Sequence, residues 1–474
     1  MPVAPNDPAT TCIAREFSGA DLGDRRRENR LVRIAEQCRA APDKSFPDIA
    51  RGGGELTAVY RLLRSDAITL GAVIEPHIRQ TAIRCAQAGR VFVVHDTTEC
   101  EFSGDKRRGL GKLRGNDQGF LLHPALAVAG DGSRRPLGVL WAHTWKREAL
   151  GRAHRSDGTR KTGADYHYQG GDKESARWWR GIDAAEESLG GVEAIHLMDR
   201  EGDAYHLVRD CLDNDVRFVI RMARDRVLLD EDDERLGKTS EVLASCEDLF
   251  TVEAALSRRP ANSCPKSEPA REARTATLAV TGTKARLARP NYDRHSPESL
   301  EVNLVCVREK NAPDGVEPVT WVLITTEPID TSAALRAVVE AYRTRWLIEE
   351  FFKALKTGCA FEKRQLESYE TLTAALGIFL PIAWHLLLLR HQAHTAPDEP
   401  AERVLSPVQI DVLRARLPRM MPIGASVADA FRAIAYLGGH FIKRPPGWLI
   451  LGRGLQELLQ LEVGWRLARG MEVE

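Results

Sequence analysis

The sequence predicts an α/β protein in which a central region of strands and helices lies between two helical ends. A short continuous apolar run at residues 91–94 is typical of a strand that is buried on both faces of a sheet, and residues 192–198 are predicted to form a second buried strand. Residues 1–75 and 448–467 show the helical spacing of apolar side chains instead. The chain has 474 residues, which at about 150 residues per domain suggests three domains.

The N-terminal region is predicted to consist of helices at 20–39, 56–63 and 70–88. Three arginines, Arg26, Arg27 and Arg30, lie near the start of the first helix. Clustered arginines on a helix indicate either an ordinary solvated face or contacts with DNA phosphates, and the cluster alone favours the solvated face.

The central region is predicted to alternate strands with helices. The strand 91–94 ends just before Asp96, and the strand 192–198 ends directly before Asp199. The other predicted elements are a hairpin of 121–129 and 137–144, helices at 172–189 and 205–212, and a strand at 216–222.

Residues 225–328 are rich in turns and short alternating runs, which predicts a β-rich insertion with a loop at 257–272. Asp330 or Ser332 is expected to cap a long helix that continues through Lys356. Prolines make residues 394–407 the best candidate linker. The predicted domains are a helical one at 1–75, a central one at 76–370 and a helical C-terminal one at 371–474.

Composition excludes several classes of protein. Lys plus Arg and Asp plus Glu both number 67, so the chain is not a highly basic tail protein. Nine scattered cysteines without a Cys-x-x-Cys pair argue against zinc ribbons and redox motifs and favour a reducing cytoplasm. The N-terminus lacks the pattern of a signal peptide. Residues 372–389 form an uncharged stretch that is either a single membrane span or, as we expect, a buried helix.

Three acidic residues form the main candidate site. Asp96 and Asp199 are expected at the ends of adjacent buried strands, and Glu349 lies on a flanking helix. Three carboxylates held so close repel one another, so the arrangement makes sense only around divalent cations. Oxygen ligands select Mg²⁺ or Mn²⁺, and two such ions can stabilise both the attacking and the leaving oxygen of a phosphoryl transfer.

The helix around Glu349 provides an independent observation. At about 100° per residue, one stripe about 80° wide holds a carboxylate flanked by cations, whereas the apolar residues lie on the other side. The stripe consists of Tyr342, Arg345, Glu349, Lys353 and Lys356. A solvated helix with an Arg345–Glu349 ion pair would show the same pattern, so the helix alone does not decide between a site and a solvated surface.

These residues carry a resemblance to a known family. Tyr342, Arg345, Glu349 and Lys356, separated by two, three and six residues, resemble the Tyr-Arg-Glu-Lys signature of bacterial cut-and-paste DDE transposases of the insertion-sequence-four group, which includes the transposon-five transposase. The segments His-Asp-Thr-Thr at 95–98 and Asp-Arg-Glu at 199–201 resemble its two aspartate segments. The Leu-Gly-Asp segment at 22–24 with the following arginines resembles its DNA-binding helix.

The resemblance implies an RNase H-like catalytic core in which Asp96, Asp199 and Glu349 bind two Mg²⁺ ions, with Mn²⁺ as a substitute. It also implies DNA contacts from Arg26, Arg27, Arg30, Arg221, Tyr342, Arg345, Lys353 and Lys356. Trp321 matches a tryptophan that receives a flipped base, but it also fits a core aromatic residue of its strand. Glu201 and Asp203 are extra acids, which are more easily explained as orienting groups than as metal ligands.

The implied activity is that of a DNA transposase. In the family, water nicks one strand at each element end, the freed 3′-hydroxyl forms a hairpin, a second water opens it, and the 3′ ends attack target DNA. The expected partners are double-stranded transposon ends, target DNA and a second copy of the chain bound through the C-terminal helices. A cytoplasmic, nucleoid-associated protein is expected. Two alternatives remain: another RNase H-like nuclease, and a domesticated, non-catalytic DNA-binding protein.

Overall fold

A computed structural model describes most of the chain. The described residues are 13–50, 52–104, 106–113, 117–146, 176–256, 272–291, 293, 296–441 and 445–471. Three sequence predictions fall partly outside them: the beginning of the N-terminal domain at 1–12, the start of a helix at 172–175 and the loop at 257–271.

The described strands form one large mixed sheet of thirteen strands. They are β1 (Arg90–His95), β2 (Thr98–Phe102), β3 (Gly111–Lys112), β4 (Gln118–Ala129), β5 (Pro136–Trp145), β6 (Glu193–Met198), β7 (Phe218–Arg221), β8 (Val227–Leu229), β9 (Arg235–Lys238), β10 (Phe250–Leu256), β11 (Arg274–Ala288), β12 (Ser299–Lys310) and β13 (Thr320–Thr325). The strand order is β2-β4-β1-β6-β7-β13-β12-β11-β8-β9, with β3 and β5 beside β4 and β10 beside β11. β1, β6 and β7 run parallel, and the other pairs are antiparallel.

Helices cover the sheet and form both ends of the described chain. They are α1 (Arg25–Ala40), α2 (Phe46–Ile49), α3 (Gly53–Leu63), α4 (Leu70–Ala88), α5 (Ala176–Leu189), α6 (Tyr205–Asp213), α7 (Thr239–Ser245), α8 (Ser332–Thr344), α9 (Leu347–Lys353), α10 (Tyr369–Thr395), α11 (Pro407–Arg416), α12 (Val427–Leu437) and α13 (Trp448–Ala468). The mixed α/β architecture, the hairpin and the β-rich insertion agree with the sequence predictions. The insertion extends the central sheet, because β13 pairs with β7.

Burial explains why the central strands form where they do. Every residue of β4 is buried, as expected for an interior strand with neighbours on both sides. Its partner β5 contains irregular pairing opposite Leu126 and Val128. Gly138 lies there with φ +140°, and a Cβ at this position would overlap the Thr81 hydroxyl of α4. Glycine therefore allows the helix to approach the strand closely.

The prediction of one long helix from residue 330 to residue 356 is wrong. Thr331, rather than Asp330 or Ser332, caps α8 by accepting a hydrogen bond from the Ala334 N–H. A tighter turn then separates α8 from α9, and the π-helical turn Ala354–Gly358 follows α9 directly. Tertiary packing overrides the local helical period here, because Gly358 lies against Leu386 and Trp448.

The apolar stretch predicted at 372–389 lies within α10. This is the one helix in the described part of the chain that is long and apolar enough to cross a membrane, and 94% of its most apolar window is buried inside the protein. The Trp384 indole N–H donates to the carbonyl of Pro136 at 3.0 Å. Helix α10 thus packs as a core helix, which is the interpretation that the sequence favoured.

The candidate linker at 394–407 is packed against its surroundings. It contains the short 3₁₀ turn Ala401–Arg403, and Ala401, Val404 and Leu405 are buried. The predicted boundary between residues 370 and 371 falls in the first turn of α10. The three-domain division stays a prediction.

A buried charged cluster joins the N-terminal segment to the sheet. Glu16 accepts hydrogen bonds from Arg84 at 2.8 Å and from His77, whose other ring nitrogen accepts the Val139 N–H at 3.0 Å. Since Nε2 of His77 is an acceptor, the ring is neutral and its Nδ1–H donates to Glu16. Burial opposes ionisation of Glu16, but His77 and Arg84 outweigh burial and lower its pKa to about 2.

We expect Glu16→Gln to lower the free energy of unfolding by about 3–5 kcal/mol, because it leaves the buried Arg84 guanidinium without its carboxylate. The lowered pKa gives stability that is present above pH ~4.5 and is lost as the pH falls toward 2. Urea unfolding from pH 7 to pH 3 should therefore show the difference from wild type shrinking with acid. Glu75→Gln, which removes the exposed ion pair with Arg79 on the same helix, is the control and should cost under about 1 kcal/mol. Equal effects of the two variants would contradict a buried-charge role.

Candidate active site

Parallel pairing places two aspartates at the same edge of the sheet. Strand β1 ends at His95 and β6 ends at Met198, so Asp96 and Asp199 are the next residues on neighbouring strands. His95 and His196 join these strands beneath the aspartates through a hydrogen bond of 2.8 Å between ring nitrogens. The structure thus brings together the two carboxylates that the sequence analysis singled out.

Glu349 reaches the same place from α9. The Arg345 guanidinium donates to Asp96 Oδ2 at 3.1 Å and to Glu349 Oε1 at 2.8 Å. Its side chain is only 13% exposed. One cation therefore bridges a strand-end aspartate and the helical glutamate, so the i,i+4 pair predicted between Arg345 and Glu349 is part of the site rather than a solvated surface pair.

The pKa shifts of Asp96 and Glu349 show that the three carboxylates lie close enough to act on one another. Burial raises the pKa of Asp96, the negative charge of Asp199 raises it further, and the result is about 7 despite the opposing charge of Arg345. Burial also raises the pKa of Glu349, against the charge of Arg345, and Asp199 adds to the increase. The three groups thus act on one another, and ionising all of them requires compensating positive charge.

The donor set fits a hard divalent cation in its chemistry. All three groups offer carboxylate oxygens, the ligands that Mg²⁺ and Mn²⁺ prefer. As the side chains stand, with Arg345 between two of them, no group of three acidic, histidine or cysteine residues in the described ranges is spaced to hold a metal. The carboxylates carry the negative charge of such a site, and Arg345 compensates part of it.

Tyr342, Trp321 and Arg221 form a cluster beside Arg345. The Trp321 and Tyr342 ring centroids are 6.2 Å apart, and the Arg345 guanidinium lies 6.0 Å from the Tyr342 ring. Strand pairing places Arg221 opposite Leu323 on the same side of the sheet as Trp321. Burial raises the pKa of the Tyr342 hydroxyl, although both arginines oppose the shift. Trp321 is half-buried, so one part of its indole packs and another stays accessible.

The two lysines of the predicted stripe separate. Lys356 donates to the Glu99 carbonyl and pairs with Glu362 at 3.1 Å, so it lies against β2. Lys353 instead pairs with Glu350 at 2.7 Å and lies over the Trp346 ring. Lys353 also acts on the cluster, because its positive charge opposes the rise in the pKa of Glu349. Glu349 and Lys353 keep their spacing within α9, whereas the π turn that follows α9 changes the angular position of Lys356.

The N-terminal arginines differ in their surroundings. Arg26 pairs with the capping residue Asp24 at 3.2 Å, but its side chain is 91% exposed. Arg30 is also exposed. Arg27 donates to the Leu22 carbonyl at 3.0 Å and is partly buried. Arg26 and Arg30 are thus accessible to a ligand, whereas Arg27 also stabilises the segment that leads into α1.

The extra acids have structural partners. Asp203 is buried, accepts the N–H groups of Ala223 and Arg224, and pairs with Arg226. Glu201 pairs with Arg177 at 2.8 Å. These contacts agree with orienting roles for both acids.

Sequence reasoning missed two residues at the site. Trp346 is 55% exposed although it lies between Arg345 and Glu349, and only its place inside the motif could have drawn attention to it. Arg177 lies in α5 and reaches Thr97 across 80 positions of sequence. No local pattern signals such a contact.

By fold and site, the chain is an α/β protein with a carboxylate cluster at the ends of neighbouring parallel strands. A family model described as Transposase DNA-binding matches residues 9–68, and one described as Transposase DDE domain matches residues 167–382. Residues 9–68 are thus similar to the DNA-binding domain of transposases, and residues 167–382 are similar to their DDE domain. Arg26, Arg27 and Arg30 lie in the first match, and Asp199 and Glu349 lie in the second. Asp96 precedes the second match and is linked to it by the geometry.

Among solved structures, the chain is similar to one titled a cryo-EM structure of the piggyBac transposase synaptic complex with hairpin DNA. The sequence identity is 10%, the TM-score is 0.36, and the match covers 87% of this chain and 59% of that chain. This chain thus spans well under two thirds of the other chain's length. A score this low does not establish a shared fold.

Proposed function

We propose that this protein is a DNA transposase that binds the ends of an element, cleaves them by metal-dependent phosphoryl transfer and joins the 3′ ends to target DNA. The observation that supports this most directly is the convergence of Asp96, Asp199 and Glu349 beside Arg345. The two transposase domain matches supply the class of reaction.

The proposed metal ligands are Asp96, Asp199 and Glu349, and the proposed metal is Mg²⁺, with Mn²⁺ as a substitute. Two bound ions would supply charge stabilisation for the attacking and leaving oxygens of an in-line phosphoryl transfer. Arg345 lies beside the carboxylates, and together with Lys356 on the neighbouring β2 strand it would offer cationic groups for the DNA phosphates near the cleaved bond. Trp346 offers an exposed ring on which a displaced base can stack.

The proposed reaction sequence is a nick, a hairpin, hairpin opening and strand transfer. Each step replaces one oxygen at a phosphorus by another, first a water, then a 3′-hydroxyl, so one set of carboxylates can serve all of them. The hairpin steps follow from the resemblance to the insertion-sequence-four group, and membership in that group is part of this proposal.

We propose an RNase H-like core for the strands β1, β4, β5, β6 and β7. Supporting this, the parallel strands carry the two aspartates, and β8–β13 are inserted before the helix that carries Glu349. A second copy of the chain, bound through the C-terminal helices, and a nucleoid-associated cytoplasmic location also belong to the proposal.

One alternative has a specific argument against it. A domesticated, non-catalytic DNA-binding protein has no need to keep three clustered, mutually repelling carboxylates, because each raises the electrostatic cost of the others. The other alternative, a different RNase H-like nuclease, is separated from a transposase by testing whether cleaved 3′ ends join a second DNA.

We expect Glu349→Gln to abolish nicking of element ends in Mg²⁺ while end binding is retained, since the change removes the charge but almost no volume. Gel assays of nicking and of end binding measure the two effects. Glu350→Gln is the matched control, because its carboxylate pairs with Lys353 and Arg390 outside the cluster. Normal nicking by Glu349→Gln would show that the carboxylate assignment is wrong.

Arg26→Ala and Arg30→Ala should each weaken binding to element ends, because both side chains are exposed near the start of α1. Each lost phosphate contact should reduce the slope of log affinity against log salt by about 0.9. Fluorescence anisotropy over a salt series measures the slope. Arg33→Ala on the same helix is the control, since Glu55 already neutralises Arg33 at 2.7 Å. An unchanged slope in both variants would remove α1 from the DNA interface.

Trp321→Ala should spare the first nick and slow hairpin formation by about 5- to 150-fold, if stacking of about 1–3 kcal/mol is lost from the barrier. Bending one strand back on itself unstacks a base, whereas nicking needs no such distortion. A pre-nicked substrate isolates the hairpin step, and Trp321→Phe should restore part of the rate. A lower melting temperature with equal losses in both steps would identify Trp321 as a core residue.

A further inference from the structure

Arg177 touches both segments that carry the aspartates. From the start of α5, its Nε–H donates to the Thr97 hydroxyl at 3.1 Å, and its terminal NH2 donates to the Glu201 carboxylate at 2.8 Å. Thr97 follows Asp96 directly, and Glu201 lies two residues after Asp199. A single guanidinium therefore bridges the segment that follows β1 and the segment that follows β6.

Thr97 and Glu201 each donate a backbone hydrogen bond to one of the two aspartates. The Thr97 N–H donates to Asp96 Oδ1 at 2.7 Å, and the Glu201 N–H donates to Asp199 Oδ1 at 2.8 Å. The contacts form a continuous chain from Asp96 through Thr97, Arg177 and Glu201 to Asp199. Movement of Arg177 thus changes the orientation of both carboxylates together.

Arg177 is itself held firmly. Its guanidinium lies 5.1 Å from the Trp145 ring centroid and 5.4 Å from that of Trp178, and its side chain is 11% exposed. The Thr97 hydroxyl, which accepts from Arg177, also contacts Nδ1 of the buried His123 at 2.9 Å. Stacking on aromatic faces and hydrogen bonding together leave the guanidinium little freedom.

We propose that Arg177 is a positioning residue that sets the relative orientation of the Asp96 and Asp199 carboxylates for metal binding. This inference rests on the proposed function, because it concerns the same carboxylates. Arginine suits the role better than lysine, since the Nε–H and Nη2–H of its planar fork point in fixed directions towards Thr97 and Glu201, whereas a lysine ammonium donates from a single atom on a flexible stem.

The test compares Arg177→Lys with wild type in the full-length protein, with Mn²⁺ binding followed by electron paramagnetic resonance in the absence of DNA. We expect Mn²⁺ affinity to fall about 10- to 100-fold, as is typical when a group that orients metal ligands is lost. The turnover rate of nicking should fall with it, whereas the melting temperature and the affinity for end DNA stay unchanged. Arg180→Lys, at an exposed position of the same helix, is the matched control and should behave as wild type.

Thr97 provides the second arm. Thr97→Val removes the hydroxyl at nearly constant volume and should weaken Mn²⁺ binding, whereas Thr97→Ser keeps the hydroxyl and should retain the affinity. In the Arg177→Lys background, Thr97→Val should cause little further loss, because the two residues act through one chain of contacts.

Three results would overturn the proposal. One is unchanged Mn²⁺ affinity in Arg177→Lys. Another is weaker end-DNA binding with unchanged Mn²⁺ affinity, which would make Arg177 a phosphate contact. The third is a lower melting temperature in Thr97→Val that Thr97→Ser does not restore, which would make the contacts purely structural.

The inference and the proposed function fail in different ways. If wild type nicks end DNA and Asp96→Asn abolishes nicking while Arg177→Lys binds Mn²⁺ normally, only the positioning role is wrong. If wild type cleaves no DNA but Arg177→Lys still weakens Mn²⁺ binding, the positioning role stands and the proposed reaction is wrong.

Discussion

Mutual repulsion among Asp96, Asp199 and Glu349 is the constraint on which the rest of the site depends. Burial and neighbouring negative charge raise the pKa of Asp96 to about 7, so the fold maintains an arrangement that is unfavourable by itself. Arg345 compensates two of the carboxylates directly. The parallel pairing of β1 with β6 and the hydrogen bond between His95 and His196 hold the strands together against the repulsion.

The same principle of paired buried charge recurs where the N-terminal segment meets the core. Glu16 is a buried group whose partners, His77 and Arg84, lie more than 60 positions away in the chain. Arg364, also buried, donates to the carbonyls of Pro42 and Lys44 beyond α1 and to that of Cys359 after the π turn. Such contacts are costly to break from one side. Buried hydrogen bonds and ion pairs therefore hold the N-terminal helices against the rest of the protein.

The strands and the two aspartates could be predicted from the sequence because each buried strand is a short apolar run and the acid follows at its end. Glu349 and Arg345 could be predicted because helical spacing is local. Neither the tight turn near Arg345 nor the π turn after α9 could be predicted, because the local spacing favours a continuous helix and Gly358 packs against the distant helices α10 and α13. The roles of Arg177 and Thr97 depend on a contact across 80 positions, and no local periodicity contains that information.

The insertion of β8–β13 has a consequence for how the molecule folds. Asp96 and Arg345 are 249 positions apart, and β13 must close onto β7 before the chain returns to the helix that carries Glu349. Closing such long loops costs conformational entropy, so sheets that pair strands distant in sequence form slowly. The three acids therefore meet only after the chain has been made through α9. A nascent or truncated chain that ends before α9 holds two of the three acids, so any DNA-cutting capacity is absent until that helix has been made and packed.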